Sequence, residues 1–235
     1  MKPEPNDPTQ SGTFHPATPA RLSRNEIESL CTKAARGAGM SWGMAEEAGF
    51  AAGWLSEHGL DGPAALLAQL TAEAGKVWRD LAPEPGPGQW RAASGGRLCP
   101  IALGATLGDH CGLPEAALTA GLTLGPVGRP VLLLPFLAGI ATRLGCGVTL
   151  KWEGSTLRLD GRGAMAGDLA DLAALQAATL TLAADAAPLA GTARGAAQGC
   201  DAATLAGLNA LAMQTTVPPS KQSRAGAGSA DSDNE

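Results

Sequence analysis

Apolar side chains fall at Ile27, Leu30, Cys31 and Ala34, the i, i+3, i+4, i+7 spacing of one buried helical face. Ser23 and Glu26 stand three apart just before this run. They predict a capping box, in which hydroxyl and carboxylate each satisfy a free backbone N–H, with Leu22 and Ile27 as its hydrophobic staple. Lys33 and Arg36 occupy the last turn, where cations suit the helix dipole, and Gly37 is expected to close the helix in a left-handed conformation. A second helix is predicted from near Ser41 to about His58, with Glu46 and Glu47 in its early turns and Gly59 as its stop. Within it Ala45, Gly49 and Gly53 recur every four residues. Each helical glycine costs about 1 kcal/mol relative to alanine, so this face is expected to admit a neighbouring helix at short range, in preference to a ligand. A third helix is predicted from Pro63 through Leu66, Leu67 and Leu70 toward Trp78.

The pattern then changes. Residues 83–88 hold three prolines and two glycines and read as an internal boundary. Pro130 to Leu144 reads as an apolar helix ending at Gly145, its start delayed or kinked by Pro135. Val148 to Trp152 and Thr156 to Leu159 alternate about Glu153-Gly154-Ser155 and predict a β-hairpin. Ala178 to Ala183 suggests a further strand, and Asp201 to Met213 a capped helix. The class expected is α+β, an N-terminal helical segment packed on a mixed α/β region with at least one β-hairpin. The chain is expected to divide into a disordered lead (1–20), a helical subdomain (21–82), an α+β region of the same domain (89–216) and a flexible Gly/Ser-rich tail (217–235).

Composition narrows the setting. The 235 residues are 45% hydrophobic, enough for a sizeable core. A net charge of −5 argues against general nucleic-acid binding, which needs a basic surface. The longest uncharged apolar stretch lies between Arg129 and Arg143 and is shorter than the roughly 20 residues of a membrane span. Five scattered cysteines without a C-x-x-C pair suit reduced thiols, and the proline-rich lead is not a signal peptide, so a cytoplasmic protein is expected.

Three groups of residues carry candidate chemistry. Arg36, Gly37 and Gly39, with Trp42 at the head of the second helix, offer a guanidinium and exposed backbone N–H groups to a carboxylate or phosphate, and Glu46 or Glu47 a proton-handling carboxylate. The plainer reading of the same turn is a tight interhelical connection with Arg36 paired to Glu46 or Glu47. Cys99, Asp109, His110 and Cys111 include metal-ligand types, but the spacing lacks the paired ligands of a structural zinc site. Cys99 is expected to be buried and structural, with Asp109 the better catalytic candidate. Ser220, Ser223 and Arg224 with Gly226 and Gly228 repeat the arginine-beside-glycine chemistry in the tail, where Ser223 and Arg224 are read as ligand-binding. No G-x-G-x-x-G, P-loop or nucleophile-elbow motif occurs, so no cofactor is specified.

The blocks Asn25 to Glu28, Lys33 to Gly39 and Trp42 to Gly49 resemble the opening of a bacterial family catalogued as domain of unknown function 3726. Leu98-Cys99-Pro100-Ile101 with Gly104 and Asp109, and Val217 to Ser220 with Ser223-Arg224 and Gly226 to Gly228, are similar to its pattern farther on. This resemblance implies one unit from about residue 22 and brings no activity. More faintly, the opening is similar to the malate/lactate dehydrogenase-like family, whose Ser-His-Gly motif this chain lacks. The expected function is recognition of a small anionic metabolite, as an enzyme or enzyme subunit. The competing expectation is a non-catalytic accessory protein that docks on a protein partner or forms a homo-oligomer.

Overall fold

The computed structural model describes residues 21–116, 118–187, 189 and 199–215. Three helices open the fold: α1 (Arg24–Gly37), α2 (Trp42–Glu57) and α3 (Gly62–Ala72). After a 3₁₀ turn at Trp78–Leu81 come the short strands β1 (Pro83–Glu84) and β2 (Gln89–Ala92), then α4 (Pro100–His110) and β3 (Leu122–Gly128). A second 3₁₀ turn, Pro130–Leu133, leads into α5 (Leu134–Leu144), followed by β4 (Gly147–Trp152), β5 (Ser155–Leu159) and β6 (Met165–Gly167). The described elements end with α6 (Leu169–Ala174), β7 (Ala177–Asp185) and α7 (Ala202–Met213). The architecture is α+β, as expected.

The seven strands form one sheet in the order β1-β2-β3-β7-β4-β5-β6, with β2 and β3 parallel and the other neighbours antiparallel. Period-two alternation decides which face is buried. Leu122, Leu182, Leu150 and Leu157 sit opposite one another across four strands and are all buried. The next row, Thr123, Thr181, Lys151 and Thr156, is polar. The apolar rows belong to the same core as α2, α4 and α5.

Local signals placed most elements. Ser23 and Glu26 form both halves of the capping box. Pro135 stands in the first turn of α5, so the 3₁₀ turn precedes the helix, and Gly145 ends it in the left-handed region. Glu153 and Gly154 both take positive φ in a two-residue hairpin turn between β4 and β5. Asp201 caps α7 by accepting from the N–H groups of Ala203 and Thr204.

Two expectations at helix ends are corrected. Gly37 is the last residue of α1 and is not left-handed; that role falls to Gly39, at φ 94°. An added Cβ on Gly37 would overlap the Leu211 carbonyl, so its missing side chain lets α7 rest on α1. The third helix stops at Ala72, well short of Trp78: Gly75 turns the chain at φ 77°, and Glu73 is buried with ion pairs to Lys76 and Arg97. The proline-rich stretch 83–88 contains β1 and the connection to β2, and so contributes to the sheet edge.

Candidate functional site

Helices α1 and α2 cross through the Ala45-Gly49-Gly53 face. A Cβ on Gly49 would fall 2.6 Å from the Glu28 carbonyl and overlap Thr32 Oγ1, and one on Gly53 would fall 2.5 Å from Glu28 Cγ. Arg24 links the pair, at 2.6 Å from Glu28 and 2.7 Å from Glu57. This face is therefore filled by a neighbouring helix, which fixes where the head of α2 points.

The turn between the two helices uses its polar groups internally. The Arg36 guanidinium donates to the Met40 carbonyl and lies 4.8 Å from the centre of the Trp42 ring, a cation–π contact. Among the described residues Arg36 forms an ion pair with neither Glu46 nor Glu47. On the other side of the turn, Trp78 Nε1 donates to the Ala38 carbonyl at 2.9 Å.

Beside this turn opens a cleft with two lobes that share Met44, Ala105 and Asp109. One lobe, about 750 Å³, has Gly39, Ser41, Lys76, Trp78 and Arg79 around it. The other, about 360 Å³, lies between α2, α4 and α5 and is lined by Glu47, Phe50, Gly108 and Arg143 among others. Gly104 makes the α4–α5 wall tight, since a Cβ there would overlap the Phe136 ring, whereas Gly43, Gly108 and Gly139 face open space. The cleft is bordered by bare backbone on three helices.

Charge is unevenly distributed along it. Burial, and then the like charges of Asp109 and Glu46, raise the Glu47 carboxyl above the ordinary glutamate value. Arg143 donates to the Gly108 carbonyl and lies 3.5 Å from Cys111 Sγ, so its guanidinium braces the end of α4. In the other lobe Lys76 is paired with Glu73 at 2.5 Å, and Arg79 is in no ion pair among the described residues. Such an arrangement can hold an anionic group at Arg79 and exchange a proton at Glu47.

Of the residues singled out in the sequence, Gly39, Glu47 and Asp109 come together at this cleft. Glu46 is exposed on the adjacent helical position. Arg36 stacks on Trp42, which lines a separate groove with Leu30 and Met213, and Gly37 backs onto α7. Ser220, Ser223, Arg224, Gly226 and Gly228 lie outside the described residues. Cys99 is buried, which pushes its thiol up to about 11. Among the described residues no group of three or more His, Cys, Asp or Glu side chains is placed to hold a metal ion. Sequence reasoning missed Lys76, Trp78, Arg79 and Arg143. The signal available was Gly75 followed at once by the cation Lys76, which marks a turn where the apolar period was extended as helix.

The fold and site together define an α+β protein with a mixed-charge cleft at the junction of three helices. Residues 22–99 match the family described as "Protein of unknown function (DUF3726)". That match takes in α1, α2, α3, β1 and β2 and stops at Cys99, so it includes Glu47 and Arg79 but neither Asp109 nor Arg143. No curated protein and no solved structure matches the chain significantly. Among the described residues no helix is long and apolar enough to cross a membrane.

Proposed function

We propose that the two-lobed cleft recognises a small anionic metabolite, with the protein acting as an enzyme or enzyme subunit in the bacterial cytoplasm. The observation that carries this reading is the meeting of Glu47 and Asp109: they are far apart in sequence and line one cleft, and burial, followed by the charge of the second, raises the carboxyl of the first. In this reading Arg79, assisted by Lys76 and the α2 N-terminus beside Ser41, holds the anionic group. Glu47 exchanges a proton with the ligand, and Asp109 tunes Glu47. All five cysteines are free, in keeping with a reducing compartment.

The test is thermal shift of wild type, Arg79→Ala and Glu47→Gln against a panel of carboxylates and phosphates. A metabolite that stabilises wild type, loses this effect in Arg79→Ala and keeps it in Glu47→Gln without turnover supports the reading. Equal responses in all three sink it.

Glu47 also makes a prediction about the free protein. Its folded carboxyl takes up a proton more readily than the unfolded one, so folding is favoured most below the ordinary glutamate value. That advantage is lost as pH rises from there through the raised folded value. Glu47→Gln removes the loss. The urea midpoint of Glu47→Gln should match wild type near about pH 4 and exceed it at about pH 7; a difference independent of pH would show that Glu47 is not perturbed.

A second reading, the accessory protein, is favoured by one observation. Trp42, Val77 and Met213 are 66%, 62% and 64% exposed, and they border the cleft and the groove on either side of the α1–α2 turn. A docking role predicts that Trp42→Ser with Val77→Ser lowers the melting temperature only by the small loss of the Arg36–Trp42 contact and abolishes co-purification of a partner subunit from native cells.

A further inference from the structure

A second pocket shares no lining residue with the cleft. It holds about 310 Å³ between the end of α2, the turn into α3, α3 itself and the exit from β3. Its walls include Leu55, Leu60, Ala65, Ala68 and Val131, and two charged residues, Arg129 and Asp61, line it as well.

Arg129 sits in the left-handed region at φ 38°, ψ 63°. A residue with a Cβ is strained there and glycine is not. Pro130 follows and disfavours the right-handed region, but extended backbone remains compatible with a following proline. The other described non-glycine residue at positive φ is Glu153, which a two-residue hairpin turn requires. No hairpin explains Arg129. Persistent strain of this kind is a reason to ask what the side chain does.

Arg129 is half-buried, and its guanidinium forms no ion pair among the described residues, Asp61 included. Asp61 Oδ1 accepts from the Ala64 N–H at 3.0 Å and caps α3. The pocket thus sets a cation and an anion in apolar walls without pairing them to each other. A ligand carrying both complementary charges close together satisfies both, and a guanidinium fork fits a carboxylate with two parallel hydrogen bonds. The volume is at the small end of ligand pockets, which suits a molecule of amino-acid size.

We propose that this pocket binds a small aliphatic α-amino acid, its carboxylate on Arg129, its ammonium on Asp61 and its side chain against Leu55, Leu60 and Val131. The site is independent of the cleft and stands whether or not the reading of the cleft does.

The experiment is calorimetric titration of the full chain with L-leucine, L-valine and L-alanine, and with two analogues of leucine that each lack one charge, 4-methylpentanoate and isopentylamine. Saturable binding of leucine, weaker by at least about tenfold for each analogue, is the expected result. Arg129→Gly should melt at or above the wild-type temperature, because glycine relieves the left-handed strain, and should lose leucine binding by at least about tenfold. Asp61→Asn keeps a good helix cap and removes the charge. It should weaken leucine and leave 4-methylpentanoate bound at least as well as in wild type. The proposal is overturned by no saturable heat from wild type with any of the three amino acids up to roughly 10 mM. Leucine binding unchanged in Arg129→Gly overturns it too. So does an Arg129→Gly protein that melts well below wild type, since Arg129 would then serve the fold.

Discussion

Gly49→Leu should destabilise the protein by about 3 kcal/mol, at the upper end of the cost of overpacking a core. The reason is what surrounds the new side chain. Its Cβ alone would lie 2.6 Å from the Glu28 carbonyl, and backbone in the middle of a helix has little room to yield. Relief therefore requires α1 and α2 to separate, which loosens the core to which Ile27, Cys31 and Ala34 of one helix and Ala45, Ala48 and Ala52 of the other belong, and stretches the ion pairs of Arg24 with Glu28 and Glu57. For a chain of this size the loss corresponds to roughly 6–12 °C in melting temperature. Gly43→Ala is the internal control. It lies in the same helix with open space around its Cβ, so alanine should be neutral or stabilising by up to about 1 kcal/mol. Equal melting temperatures for Gly49→Leu and wild type would mean that the helices do not cross at this face.

Gly37→Ala should also destabilise, by about 1–3 kcal/mol, although alanine is the better helix former and at an open helical position would gain about 1 kcal/mol. The sign follows from the Leu211 carbonyl, which the new Cβ would overlap, with Ala212 directly behind it. Helix α7 nests on α1 through Gly37, and on α3 through its own Gly207 against Leu67. The substitution should therefore loosen α7 before anything else: hydrogen exchange should show protection falling across Ala202–Met213 while β7 is unaffected. The same variant separates two roles for this glycine. A backbone donor to an anion would leave stability unchanged without ligand, whereas a packing glycine loses stability whether ligand is present or not.

What could be read from the sequence was local. The capping box at Ser23 and Glu26, the start of α5 at Pro135 and the turn at Glu153-Gly154 depend on residues within a few positions of one another; the first formed as read, the second as a delayed start, and the third with Ser155 in the strand instead of the turn. What escaped depended on distant partners. Helix α4 was not predicted, since Gly104 and Gly108 weaken its local signal and the reason for Gly104 is the Phe136 ring on another helix. Gly125 and Pro126 interrupt β3, which still forms because β2 and β7 pair with it on either side and a bulge absorbs the irregularity. Gly37 and Gly39 are two residues apart and chemically alike; which of them is left-handed is settled by α7 pressing on the first.

The cleft follows the same rule. Glu47 and Asp109 were each legible as carboxylates on plausible segments, but nothing in either segment told that α2 and α4 would bring them to one opening. Arg143 was passed over for the opposite reason. A cation near the end of a predicted helix is already accounted for by the helix dipole, so a second role leaves no trace in spacing.

The position of β7 has a temporal consequence. Strand β7 lies between β3 and β4 and joins the two halves of the sheet, yet it is the last strand in the described chain. During synthesis β2 with β3, and β4 with β5 and β6, can pair as they emerge, but each assembly keeps an open edge until residues 177–185 arrive to close both. Helix α7 follows still later and completes the cover over α1, whose capped first turn was made near the beginning. Joining such distant segments is slow compared with forming the helices, and open strand edges invite pairing with other chains. A ribosome stalled before Ala177 should therefore display a nascent chain with an ordered α1–α2 pair and an unclosed sheet, and that intermediate is where a chaperone has most to protect.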